Sequence, residues 1–119
     1  EVNLRAFSEA GNLAGVTARL DQIQEVGANV LWLMPIHPVG QERSAGGLGS
    51  PYSVQDYGSV SSEYGGLSEL NTLVDAAHER GMSVILDWVA NHYDPERLER
   101  EFKPGFLSSL LADRLIRRE

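Results

Sequence analysis

The spacing of apolar residues changes from segment to segment along this chain, and each spacing predicts an element. At 2–7, Val2, Leu4 and Ala6 alternate with Asn3, Arg5 and Phe7, which predicts a short strand. Leu13, Val16, Leu20 and Ile23 then recur three and four apart, so one apolar stripe predicts a helix over 13–26. Asn12 is placed to cap that helix, and Gly27 to stop it in a left-handed conformation. Residues 29–34 (Asn-Val-Leu-Trp-Leu-Met) are apolar on both faces, as in strands of parallel sheets buried on both sides. Pro35 and Pro38 end the run. A second helix is predicted over 67–80, with Leu67, Leu70, Leu73, Val74 and Ala77 inward and Gly81 as its stop. Residues 82–87 (Met-Ser-Val-Ile-Leu-Asp) read as a third strand. Strand, helix, strand, helix, strand with short helix-to-strand turns predicts an α/β fold: a right-handed βαβαβ unit with parallel strands.

Two stretches stand apart from this alternation. Residues 36–66 have no regular period, and their glycine-rich part, 40–50, reads as an exposed loop. A connection of that length inside a compact domain is usually functional. Beyond Tyr93 the composition changes: residues 94–119 hold six basic and six acidic residues, against four and eleven in the first 93. Leu98 and Phe102 lie four apart, Pro104-Gly105 interrupts, and Leu107, Leu110, Leu111 and Leu115 restart the spacing. This predicts a helical tail with one apolar face, packed on the sheet.

Composition narrows the functions available. The 119 residues suit one domain. A net charge of −7 disfavours nucleic acid and anionic membranes as partners. No apolar run is long enough to span a membrane. The absence of cysteine excludes disulfides, zinc–thiolate centres and thiol nucleophiles.

Parallel βα units place function at the carboxyl ends of their strands. Here those places are the 36–66 loop and Asp87-Trp88-Val89-Ala90-Asn91-His92. Asp87 ends a hydrophobic strand, where a bare carboxylate is costly and needs a partner or a ligand. Asp87, Asn91 and His92 together suit a ligand-facing rim, and they suit a structural network of satisfied polar groups equally well. Tyr52, Tyr57 and Tyr64 decorate the loop; such rings stack on sugar C–H faces, and for any single tyrosine plain loop packing is the commoner role. His37 is expected to be structural. Asn91 offers one oxygen to a hard cation such as calcium, far short of the six to eight required.

The stretch Asp87-Trp88-Val89-Ala90-Asn91-His92 resembles the first signature of the α-amylase family of glycoside hydrolases, at the end of that family's third barrel strand. Val30-Leu31-Trp32-Leu33-Met34-Pro35 resembles the second strand. Ser50-Pro51-Tyr52-Ser53-Val54-Gln55-Asp56-Tyr57 and Glu63-Tyr64-Gly65 resemble the loop leading to the second helix. Val74 through Met82 resembles that helix and its turn. The resemblance implies roles. Tyr52 would stack on the sugar beside the scissile bond, His92 would hydrogen-bond the same sugar, and Asp87 would order the site. Asn91 would contribute to a structural calcium. Gly58 and Gly66 depart from the pattern, where an aromatic and a Ser or Thr cap are common.

In that family the nucleophile and general acid sit after the fourth and fifth strands, with a third carboxylate after the seventh. The quoted motifs stop after the third. The expectation is therefore a partial (β/α) barrel over 1–93, followed by a tail of unrecognised, foreign or redesigned origin over 94–119. Such a fragment would carry part of a sugar subsite and no complete catalytic set. It would bind α-glucan weakly and not turn it over. The alternative is a self-associating structural module, a homo-oligomer, because a three-stranded parallel sheet leaves two unpaired edges.

Overall fold

The computed structural model describes residues 1–40, 50–52 and 54–87. The helical tail expected over 94–119 lies outside them. Among the described residues four helices and two strands follow in the order α1 (Leu4–Phe7), α2 (Leu13–Thr17), α3 (Leu20–Glu25), β1 (Val30–Leu33), α4 (Gly66–Glu79) and β2 (Ser83–Leu86), with a 3-10 turn at Ser62–Tyr64 before α4. β1 and β2 pair in parallel, Val30 opposite Ser83 and Leu33 opposite Leu86. Among the described residues no helix is long and apolar enough to cross a membrane.

The parallel pairing and the α4 crossover agree with the sequence pattern; the start of the chain does not. The strand expected at 2–7 is reduced to one parallel bridge, Val2 with Leu33. The Val2 amide donates to the Trp32 carbonyl (2.7 Å) and the Met34 amide to the Val2 carbonyl (3.0 Å). The chain then turns: Ala6 and Phe7 amides both donate to the Asn3 carbonyl (3.1 and 2.9 Å), which opens α1. Alternation at 2–7 is thus read by the fold as one bridging residue followed by a helical turn that buries Leu4.

The helix expected over 13–26 is present but broken. Asn12 caps it as predicted, its Oδ1 accepting from the Gly15 amide at 3.0 Å. At Thr17 the hydroxyl donates back to the Leu13 carbonyl (3.1 Å), a contact that bends helices. The next amides shift partner, Arg19 donating to Val16 three residues back (3.0 Å). The break re-aims the second half so that Leu13, Val16 and Leu20 all remain fully buried. Both predicted helix stops, Gly27 and Gly81, have positive φ (86° and 71°), which glycine adopts without a Cβ penalty.

The core lies between the sheet and the helices, formed by Leu13, Val16, Leu20, Leu31, Leu33, Leu73, Val74, Ala77 and Val84 with their neighbours. Burial along β1 alternates, so the expectation of a strand covered on both faces is corrected. Leu31 and Leu33 are buried against the helices, whereas Val30 and Trp32 are 45% and 44% exposed, beside Ile85 at 48%. Among the described residues one helical layer covers one sheet face. Leu67 is likewise exposed rather than inward. It lies in the first turn of α4, ahead of the buried positions Leu70, Leu73, Val74 and Ala77.

Candidate functional site

The carboxyl ends of β1 and β2 lie side by side, because the strands are parallel and in register. The Asp87 amide donates to the Leu33 carbonyl at 2.9 Å, extending the ladder one residue past β2. That bond fixes the Asp87 backbone at the rim. Strand alternation sends its side chain away from the helical layer, since Val84 on the helix side is buried and Ile85 opposite is exposed.

The long loop returns to the same rim because it is pinned at both shoulders. Val39 and Val54 form an antiparallel bridge, the Gln55 amide donates to the Pro38 carbonyl (2.8 Å), and the Ser61 amide donates to the Ile36 carbonyl (2.8 Å). Asp56 braces the next turn, accepting from the Gly58 amide (2.7 Å) and the Ser59 hydroxyl (2.6 Å). Gly58, which departs from the family pattern, is therefore the amide donor of this turn. Arg5 and Glu63 tie the 3-10 turn to α1 through two contacts, at 2.6 and 3.1 Å.

His37 is buried and structural, as expected. Its Nδ1–H donates to the Ser59 carbonyl at 2.9 Å, and its ring stands edge-on to Tyr57 at 5.0 Å. Burial holds its pKa below the ordinary value, against the opposing effects of the Ser59 carbonyl and the Asp56 charge. Tyr57 and Tyr64 are buried too, which is the packing role.

Tyr52 is different. Its phenol donates to Asp87 Oδ2 at 2.9 Å, bringing together two of the three residues assigned to the sugar subsite, 35 positions apart in the chain. The bond to the Asp87 carboxylate is the largest cause of a phenol pKa pushed up to about 12, followed by desolvation and then by the charges of Asp87 and Glu1. At neutral pH this site is therefore a neutral aromatic ring held edge-on to a carboxylate. An aromatic face beside a hydrogen-bond acceptor can hold a sugar, whose C–H face stacks while a hydroxyl donates. His92 and Asn91, and with Asn91 the calcium ligation it was assigned, lie outside the described residues. Among the described residues no three His, Cys, Asp or Glu side chains group closely enough to hold a metal ion. Sequence reasoning missed Glu1, whose Oε1 lies 3.4 Å from the Tyr52 hydroxyl. Nothing in residue spacing links positions 51 apart.

Comparison with known proteins agrees with this architecture. Residues 5–101 match the family model "Alpha amylase, catalytic domain", a span that continues past the compositional change near Tyr93. The chain is 34% identical over 86 residues to an alpha-glucosidase of Pediococcus pentosaceus, covering 72% of this chain and 14% of that protein. It is 40% identical over 82 residues to the alpha-amylase SusG of Bacteroides thetaiotaomicron, covering 69% of this chain and 11% of that protein. Among solved structures, an alpha-amylase from Lactobacillus plantarum superposes with a TM-score of 0.76 at 49% identity, over 85% of this chain and 24% of that one. A maltogenic alpha-amylase from Thermotoga neapolitana superposes with a TM-score of 0.74 at 33% identity, over 83% and 25%. The chain thus spans less than a fifth of those two curated relatives' length. With the strand ends, the pinned loop and the matched residues all in agreement, the chain belongs to the α-amylase family of glycoside hydrolases.

Proposed function

We propose that this chain supplies part of the sugar subsite of a glycoside hydrolase acting on α-glucosidic bonds, and that the 119 residues alone do not hydrolyse them. The observation that carries the reading is the Tyr52–Asp87 bond at 2.9 Å, which holds an aromatic face and a carboxylate together at the strand ends. In this reading Tyr52 stacks on the ring beside the scissile bond. Asp87 holds that aromatic wall and accepts from a sugar hydroxyl, and His92 adds a second polar contact to the same sugar. Retaining cleavage requires a carboxylate nucleophile and a carboxylic acid about 5–5.5 Å apart. The resemblance assigns neither role to any residue of this chain, and Asp87 is already engaged by Tyr52.

Two assays test this. Purified chain incubated with starch or maltooligosaccharides releases no reducing sugar above background; activity that survives purification and vanishes in Asp87→Asn refutes the second half of the proposal. Maltose titrated into the chain shifts the Tyr52 ring signal with roughly millimolar affinity, the strength expected of a few contacts without a surrounding cleft. Tyr52→Ala abolishes saturable binding. Unchanged maltose binding in that variant removes the subsite from Tyr52.

A further inference from the structure

We infer that Glu1 is a positioning residue for Tyr52: with Asp87 it brackets the phenol from a second segment of the sheet and fixes the ring's orientation. The inference rests on the reading of Tyr52 as a sugar platform and goes one residue beyond it.

The register of the sheet places Glu1 there. Val2 bridges Leu33, and Leu33 pairs with Leu86, so these three residues share one level of the sheet. Val2 and Leu33 are buried on the helix side. Alternation then sends Glu1, one before Val2, to the opposite face, the face that also carries Trp32 and Ile85. Asp87, one after Leu86, reaches that face from the next level up. A phenol descending from the loop therefore meets Asp87 first and Glu1 below it. The two distances follow that order: 2.9 Å to Asp87 Oδ2 and 3.4 Å to Glu1 Oε1.

Those distances also separate the roles. At 2.9 Å Asp87 accepts the hydrogen bond of the phenol. At 3.4 Å Glu1 is beyond the usual O–H···O range, so it acts mainly through its charge, which disfavours a phenolate and any rotamer that would turn the hydroxyl away. Asp87 and Glu1 are the two charged groups acting on this phenol among the described residues.

The test reads Tyr52 itself. At about pH 10.5 an ordinary tyrosine is mostly ionised, whereas Tyr52 is held mostly neutral. Carbon-13 NMR of ring-labelled tyrosine measures that ionised fraction, with the Tyr52 signal assigned by its loss in Tyr52→Phe. Glu1→Gln keeps the size and removes the charge. The ionised fraction at this pH is expected to rise, by less than in Asp87→Asn. Glu1→Asp, which keeps the charge on a shorter arm, falls between parent and Glu1→Gln and serves if the amide variant does not fold by circular dichroism. An unchanged Tyr52 fraction in the folded Glu1 variants, with Asp87→Asn raising it, overturns the inference. A purely structural Glu1 would alter stability without moving this signal. Maltose titration separates the two claims: if Tyr52→Ala binds as the parent does, the sugar platform fails while the ionised fraction still decides the role of Glu1.

Discussion

Replacing Gly15 by alanine sets two ordinary effects against each other, and the structure decides the sign. Gly15 lies inside α2, where alanine is worth about 1 kcal/mol over glycine from helix propensity. At this site, however, a new Cβ would stand 2.0 Å from Ser8 Oγ and 2.8 Å from Ser8 Cβ. Rotating Ser8 relieves the first contact and gives up its acceptance from the Gly11 amide at 3.3 Å. It leaves the second contact, which only a shift of α1 against α2 removes. Overpacking of this kind costs about 1–3 kcal/mol, so Gly15→Ala should destabilise the chain by about 1 kcal/mol net. Urea unfolding followed by circular dichroism measures this. In a double-mutant cycle, Ser8→Gly removes both clashing atoms, and the pair should recover about 1–3 kcal/mol of coupling. A Gly15→Ala chain more stable than its parent, with no coupling to residue 8, would refute the close approach of the two helices.

Two further outcomes are expected. Asn12→Ala removes the side-chain acceptor of the Gly15 amide and should cost about 1 kcal/mol in the same unfolding assay; a loss near zero would mean that water replaces the cap. His37 is kept neutral by burial, so its folded pKa lies below its unfolded value near 6.5. Its stabilisation is present above that unfolded value, declines as pH falls below it, and is gone once pH has passed the folded value. Thermal unfolding from about pH 8 to pH 5 should show a decline in melting temperature that is reduced in His37→Gln, and equal slopes in both chains would assign the decline to other groups.

The interior elements were legible in the sequence because their determinants are local. The stripe from Leu70 to Ala77 sets the buried face of α4, the short apolar runs 29–34 and 82–87 mark β1 and β2, and Gly27 and Gly81 sit where a left-handed residue ends a helix. Asn12 and His37 were likewise placed correctly, one by its spacing from the first apolar residue and the other by its turn between prolines. Tertiary structure decided what depends on partners distant in the chain. Val2 became a single bridge because Trp32 and Met34 satisfy its backbone groups, after which Asn3 starts a helix that alternation alone concealed. The 13–26 helix breaks after Thr17, where the Arg19 amide turns to the Val16 carbonyl, while the packing of Leu13, Val16 and Leu20 keeps the buried stripe intact. One-sided burial of β1 followed from the helical layer on a single sheet face, a fact that no apolar run records. The motif marked Tyr52 and Asp87 as members of one site, but only the pinned loop and the parallel register bring the phenol to the carboxylate and set Glu1 beside it. Hydrogen bonds and charges act over distances in space, and spacing along the chain carries that information only within a single element.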